Sequence, residues 1–437
     1  MPRERPKNMG STGGQTPCSK HRRLAGIVIV AATAVVAVLG TGCATAGSAG
    51  RAHSPGSSAP SPAVTGAGSA PSGGAERLLA IAALGESDAW VVGTHTPRPT
   101  GIYPLTQHWN GQRWSAVPCP SPGGTADPVR SSLNAVAIDA PDDAWAVGSW
   151  SPIEHVPPSY PLIEHWNGAR WTLVPGPSSG GHVADVELTA VAAISPTAAW
   201  AIGEGVAGGR SAPVFLGWNG TRWRYLPSPV GDAPGGPLAG GLAAISPRDI
   251  WLVGEGGGLK FHTPVEHWNG STWTVLPSPN AYKDRRPNVG LDAVGGSSSS
   301  DVWAVGWYQS GPRGDKRSTL IEHWDGARWQ LQPSPNGPPA DRGEHRVLAI
   351  AALSPTSALA VGRYGAHPLT ERWNGIRWTN VPNKLLPGVK YVYLTSVAAV
   401  DPRYAWAIGV GIHGYFIERW NGASWHQLPS LGPSLEP

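Results

Sequence analysis

Leu162-Ile163-Glu164-His165-Trp166-Asn167-Gly168-Ala169-Arg170-Trp171-Thr172-Leu173-Val174-Pro175 decides the fold, because close copies of it occur seven times along the chain. Their cores are Trp109-Asn110-Gly111, Trp166-Asn167-Gly168, Trp218-Asn219-Gly220, Trp268-Asn269-Gly270, Trp324-Asp325-Gly326, Trp373-Asn374-Gly375 and Trp420-Asn421-Gly422. A second Trp follows three residues after each Gly: Trp114, Trp171, Trp223, Trp273, Trp329, Trp378 and Trp425. Two short apolar runs around an Asn-Gly or Asp-Gly pair predict a β-hairpin, since the turn needs positive φ where Asn and Gly tolerate it.

Upstream of each hairpin the sequence repeats too. First comes an apolar run of small residues, such as Leu188 to Ile194, then a turn such as Ser195-Pro196-Thr197-Ala198 with Pro where a type I turn favours it. A second run of the Ala-Trp-Ala-Val-Gly kind follows, as in Ala89 to Gly93, Ala144 to Gly148 and Ala405 to Gly409. The hairpin motifs lie 47 to 57 residues apart. Four short strands at that period are the signature of a propeller blade, a unit that buries its faces only against its neighbours. The expected fold is therefore all-β, a single seven-bladed β-propeller of four-stranded blades over residues 78–437. Its blades fall at about 78–132, 133–187, 188–237, 238–290, 291–346, 347–393 and 394–437. Ala and Gly crowd the first run, which places it nearest the axis. The bulky Trp fall where the gap between blades widens.

Composition agrees with this. Trp is heavily used, 22 against 3 Phe, and the charged fraction is only 14%, which suits a large packed β structure rather than a disordered chain. Residues 1–42 hold six Lys/Arg and one acid, a net of +5 against +4 for the whole chain, so the remainder carries −1. A near-neutral remainder has no basic footprint for nucleic acid.

Residues 1–43 read as an export signal, with a basic start ending Lys20-His21-Arg22-Arg23, an apolar run from Leu24 to Leu39 and then Gly40-Thr41-Gly42-Cys43. Small residues directly before a Cys resemble the lipobox of bacterial lipoproteins, which implies lipidation at Cys43. Leu39 lies four residues before that Cys, where a lipobox has Leu three before. An uncleaved membrane anchor is the alternative. Residues 44–77 are nearly all Ala, Gly, Ser, Pro and Thr and read as a flexible tether. Both readings place the repeats outside the cytoplasm, attached to the membrane. Among the three Cys only Cys119 lies within the repeats, so no internal disulfide is expected there. Cys119 stands where other copies have Ser228, Ser278 and Ser334, a substituted turn residue rather than a nucleophile.

The Gly-x-x-Trp hairpin resembles the Asp-box turn of sialidase-type propellers, with Trp where an Asp-box has Asp. The whole pattern, Ala-Trp-Ala-Val-Gly, Glu-His-Trp-Asn-Gly-x-x-Trp and Val-Pro-Ser-Pro, resembles the repeats of secreted propeller proteins of high-GC bacteria. The resemblance implies an architecture, and propellers serve as enzymes and as binding platforms alike.

Residues that recur in every blade read as scaffold. Glu164-His165, Glu266-His267 and Glu322-His323 suggest a metal at first sight. Their strand lies two strand spacings outside the first, about 9–10 Å, so they cannot converge on one ion; a structural hydrogen bond between blades is expected instead. The sevenfold Trp read as packing, with Leu359 as the single apolar exception. The short turns occupy one face of the disc, and the variable loops, such as Thr94 to Pro104 and Trp307 to Ser318, occupy the other, where binding residues concentrate.

Directly after the Gly of the second run come Thr94-His95, Ser149-Trp150, Glu204-Gly205, Glu255-Gly256, Trp307-Tyr308, Arg363-Tyr364 and Val410-Gly411. Trp150 and Trp307 are the two Trp that the repeat does not account for. The candidate ligand-binding residues are Trp150, Trp307, Tyr308, Arg363, Tyr364, Glu204 and Glu255, as exposed aromatics and charges for a sugar or a peptide. Covering of the loops is the plainer alternative for these aromatics. No catalytic motif, metal site or cofactor site is recognised. Acids on the variable loops (Glu154, Asp185, Asp232, Asp284, Asp315, Asp341, Glu344) could include a glycosidase pair. The expectation is a monomeric, surface-tethered, non-enzymatic propeller binding a glycan, a cell-wall component or a protein. An exported glycoside hydrolase or polysaccharide lyase is the alternative.

Overall fold

The computed structural model describes residues 75–96, 101–122, 130–152, 159–177, 183–227, 238–255, 265–279, 289–310, 316–336, 344–384, 392–412 and 414–428. The segment expected to be an export signal, Cys43 and most of the expected tether lie outside the described residues. The described chain forms seven four-stranded antiparallel blades in a ring, a seven-bladed β-propeller. Blade 2 is typical, with strands at Arg130–Ala140, Asp143–Ser151, Tyr160–Trp166 and Trp171–Leu173 in that order from axis to rim. Each blade's first strand touches the first strand of the next, and that of blade 7 (Tyr393–Asp401) touches that of blade 1 (Ala75–Gly85), which closes the ring. No helix among the described residues is long and apolar enough to cross a membrane.

The ring closes without exchanging a strand: blade 1 takes all its strands from residues 75–116 and blade 7 its four from 393–427. The seam is held instead by side chains, with Trp406 edge-on to Trp109 and Trp114 and the Tyr404 hydroxyl donating to the Glu86 carbonyl at 2.7 Å. A two-residue strand, Asn383–Lys384, leaves blade 6 and lies parallel on the rim strand of blade 7.

The interfaces between blades follow one recipe. A Trp from the second strand inserts between the two hairpin Trp of the next blade: Trp90 against Trp166 and Trp171, Trp145 against Trp218 and Trp223, Trp251 against Trp324 and Trp329. In blade 6 Leu359 takes this place, facing Trp420 and Trp425.

The hairpin turn is tighter in its demands than the sequence suggests. Only its Gly has positive φ, for example Gly168 at 86°, while the Asn side chain accepts from two backbone amides: Asn167 Oδ1 receives Ala169 and Arg170 at 3.1 and 3.0 Å. The hairpin Trp ties this turn to the neighbouring one, as Trp166 Nε1 donates to the Pro141 carbonyl at 3.1 Å. Both short turns therefore share one face.

Opposite the Gly of the second strand, each first strand inserts an extra residue that breaks its register with the second, such as Asn134 between Leu133 and Ala135 and Asp292 between Leu291 and Ala293. The bulge explains the Gly that ends the second run. A Cβ on Gly148 would lie 1.8 Å from the Ser132 carbonyl oxygen. Gly148→Ala is expected to cost about 3 kcal/mol, because backbone rather than a flexible side chain must move; urea unfolding of the variant measures it.

Candidate functional site

The mouth of the ring on the loop side is framed by one register position per blade. There the residue following the second-strand Gly faces a residue of the first strand: Arg77 opposite Thr94, Ser132 opposite Ser149, Glu187 opposite Glu204, Leu238 opposite Glu255, Gly290 opposite Trp307, Arg346 opposite Arg363 and Tyr393 opposite Val410. Directly opposed residues of an antiparallel pair point to the same face of the sheet. Sequence reasoning finds the second-strand half of this frame and misses Arg77, Glu187, Arg346 and Tyr393. Each missed residue stands immediately before an apolar run and belongs to the same strand, which starts one to four residues earlier than the run does.

Around blades 5 and 6 the structure gathers Trp307, Arg363 and Tyr364. Trp307 is not the exposed platform that the sequence suggests. It is 3% exposed, with the Arg317 guanidinium 4.0 Å from its ring centre and that of Arg346 at 5.7 Å, two cations on one indole. Arg346 grips the Asp292 carboxylate with two nitrogens, one at 2.6 Å. Arg317 and Arg363 share a single carboxylate, Glu344, with Arg317 at 3.0 Å. Burial lowers the pKa of Arg363, and repulsion from Arg317 adds to that. Tyr364 stacks on His367 at 5.2 Å, and Tyr308 is half-buried.

Trp150 and Glu204 lie elsewhere on the mouth. Trp150 stacks on Tyr160 at 5.0 Å on blade 2, leaving Tyr160 42% exposed. On blade 3, Asn134 from blade 2 donates to Glu187 at 3.2 Å. Burial raises the pKa of Glu204; the Ser211 hydroxyl opposes this, and the facing Glu187 adds a smaller push upward. Glu255 holds its register place, and its side chain lies outside the described residues. Of the loop acids, Asp185 accepts from the Ser159 amide at 3.1 Å and Glu344 holds the two Arg; they stand on different blades and form no pair. Glu154, Asp232, Asp284, Asp315 and Asp341 lie outside the described residues.

The Glu-His motif divides its labour in a way the sequence does not show. The His bonds within its own blade, not between blades: His165 Nε2 meets Asp143 at 2.6 Å and His323 meets Asp301 at 2.8 Å, each ring lying on the second-strand Trp. The Glu makes the link between blades. Ser278 donates to Glu322 at 2.7 Å, Ser334 to Glu371 at 2.8 Å and Asn383 to Glu418 at 2.7 Å. No described group of three or more His, Cys, Asp and Glu could hold a metal.

At the seam between blades 1 and 2 Cys119 occupies the Ser position, beside Glu164. Neither Glu164 oxygen finds a hydrogen bond among the described residues, and the thiol points instead at the Pro104 carbonyl, 3.5 Å away. Burial, then Glu164, pushes the Cys119 thiol far up, so it is no nucleophile. Cys119→Ser should restore the bond made at the other seams and gain about 1 kcal/mol in urea unfolding; a loss of stability would refute this account.

No family model and no curated protein matches the chain. Among solved structures it is similar to one described as YCF48 bound to D1 peptide, at 14% identity over 80% of this chain and 95% of that one, with a TM-score of 0.48. A polysaccharide lyase, a PL25 ulvan lyase, is 10% identical over 82% and 96% with a TM-score of 0.48. A fucose-specific lectin from Aleuria aurantia is 12% identical over 70% and 94% with a TM-score of 0.39. Identities this low concern architecture alone.

Proposed function

We propose that this chain is an exported, membrane-tethered propeller that acts as a non-enzymatic binding scaffold for a glycan, cell-wall component or protein, engaged at the mouth on the loop side. One observation carries the reading. The short-turn face repeats the same hydrogen bonds from blade to blade, while at the mouth one register holds a different residue pair in each blade, including two pairs of like charge. Like charges directly opposite each other destabilise a sheet, so their retention points to a ligand rather than to folding. The basic start, apolar run and Gly-Cys junction of residues 1–43 support export and attachment through Cys43.

The test is retention of the purified protein on immobilised envelope polysaccharides and envelope proteins, with solution products analysed in parallel. Arg363→Gln with Tyr364→Ala should weaken retention at least about tenfold, the effect of losing central Arg and aromatic contacts, whereas Ile376→Ser on the short-turn face should leave it unchanged. Release of any product would make the protein an enzyme and sink the proposal, as would loss of binding in the turn-face variant only. Palmitate labelling that persists in Cys43→Ser would refute attachment at that residue.

A further inference from the structure

On the short-turn face, blades 6 and 7 exchange a charge pair for a lone cation. In four other blades a His of the third strand meets an Asp at the start of the second: His108 with Asp88, His165 with Asp143, His267 with Asp249 and His323 with Asp301. The same register holds Arg372 in blade 6 and Arg419 in blade 7, while Ser357 and Tyr404 begin their second strands. Both blades thereby gain a guanidinium and lose a carboxylate. Their turns add two more, Arg377 in the hairpin of blade 6 and Arg403 in the turn before the second strand of blade 7, both exposed. A Cβ on Gly422 would lie 3.2 Å from Arg403 Cγ, so Arg403 runs over its own hairpin.

Little in this sector offsets those four Arg. Every turn of the short-turn face belongs to the described residues, and among these Arg372, Arg377 and Arg403 have no ion-pair partner. Arg419 lies 4.4 Å from the centre of the Tyr404 ring. The one carboxylate on the turns of the two blades is Asp401, which accepts the Arg403 amide at 2.6 Å. Glu371 and Glu418, on the same third strands, are buried in the blade interfaces and accept from Ser334 and Asn383. At the borders the signs balance: Asp325 meets Arg328 at 4.0 Å in blade 5, and Glu86 and Arg113 both stand on the turns of blade 1. Next to Arg377, Ile376 is 83% exposed, the most exposed large apolar side chain among the described residues. Cations around an exposed aliphatic tip suit an anionic lipid surface, where the charges meet headgroups and the tip enters the acyl boundary. A soluble polyanion would satisfy the charges and leave Ile376 in water.

The chain enters blade 1 on the opposite side of the disc, for Ala75 pairs with Thr96 at the end of the strand away from the Gly85 to Asp88 turn. The 31 residues between Cys43 and Ala75 could span about 100 Å when extended, enough to let either face meet a bilayer. Charge then decides between the faces. Taking its bilayer from the attachment proposed above, we infer that the short-turn sector of blades 6 and 7 docks on anionic lipid headgroups. Arg377 and Arg403 meet the phosphates, half-buried Arg372 and Arg419 add to the potential from behind them, and Ile376 dips into the interface. The loop-side mouth is thereby turned away from the membrane and presented to its ligand.

The full chain, incorporated in vesicles of phosphatidylcholine with or without about a third of phosphatidylglycerol, tests this by amide hydrogen exchange. Relative to the neutral vesicles, exchange at residues 374–377 and 421–424 should slow several-fold in the anionic ones and recover in high salt, while the loop-side turn at 207–210 keeps its rate. Arg377→Gln with Arg403→Gln should lose most of that protection, two cations being worth about a thirtyfold shift in docking. Arg377→Lys with Arg403→Lys should keep it, since charge is retained. Ile376→Ser should lose part of it without affecting retention at the mouth. Thermal unfolding of each variant shows that it is folded. Equal exchange in the two kinds of vesicle, slowing at 207–210 in place of the hairpins, full protection in the double Gln variant, or equal protection by soluble polyphosphate overturns the inference. Flotation with the neutral vesicles reports attachment through residues 1–43 separately, so its failure counts against the tether and not against this face.

Discussion

Trp303→Ala should lower the stability of the propeller by about 3–5 kcal/mol, the cost of emptying a large buried aromatic site. Trp303 is fully buried, and its indole lies 5.0 Å from Trp373 and 5.2 Å from Trp378 of the next blade, tilted at 58° and edge-on at 88°. These are the offset arrangements that the ring quadrupole favours, worth about 0.5–1.5 kcal/mol each beyond burial. Its own blade holds it from the other side through His323, at 4.1 Å, and its Nε1 donates to Asp301 at 3.0 Å. Removing the indole thus empties a cavity between blades and unsettles the His–Asp pair beneath it. A blade buries its faces only against its neighbours, so damage at one interface weakens the whole ring. Trp303→Leu should be much milder, because Leu359 fills the same place in blade 6 against Trp420 and Trp425. Urea unfolding followed by circular dichroism measures both; an alanine variant within 1 kcal/mol of the parent would refute the interlock.

The same interlock explains what the sequence could reveal. The Trp-Asn-Gly-x-x-Trp hairpin is local, so its turn chemistry and sevenfold period are visible in the chain itself, and the four-stranded blade follows. The partner of His165 is not visible in this way. Asp143 lies 22 residues away at the first position of the second strand, and only the pairing of Trp145 with His165 across the sheet brings them together. The mouth was half legible for a similar reason. Residues after the second-strand Gly stand out because they break the repeat, whereas Arg77, Glu187 and Arg346 precede an apolar run and read as connection. Pairing with the second strand, past a bulge that apolar periodicity does not reveal, makes them part of the frame. Trp307 departs from the repeat as an exposed binding aromatic would. Only the guanidiniums of Arg317 and Arg346, from a loop-side strand and from the next blade, show why it is buried.

Raising the pH from 5 to 8.5 should destabilise the protein by several kcal/mol, and the cause is the set of Glu that links the blades. Glu164, Glu266, Glu322, Glu371 and Glu418 are all buried between blades. Burial, the leading cause at each, raises Glu164 and Glu322 to about 8 and Glu266, Glu371 and Glu418 to about 7, with the Ser278, Ser334 and Asn383 bonds opposing it only in part. In the unfolded chain a Glu titrates near about 4.3. Between that value and 7 to 8 the folded state holds protons that the unfolded state has released, so stability must fall as pH rises through this window. Above about pH 8 the slope should vanish. At the acid end the sign reverses for Asp249: burial opposes its ionisation, but bonds from His267, Ser299 and Trp251 hold its pKa down, so its contribution is lost as pH falls below the ordinary Asp range. Maximum stability is therefore expected near pH 4–5. Glu164→Gln is the decisive variant. Glu164 has no described hydrogen-bond partner to lose, so the substitution removes one titration at little cost in contacts. It should be more stable than the parent at pH 8.5 and should flatten the dependence of thermal midpoint on pH. A midpoint that rises between pH 5 and 8.5, or a Glu164→Gln variant with the parent's slope, would show that these carboxyls are ionised in the folded ring.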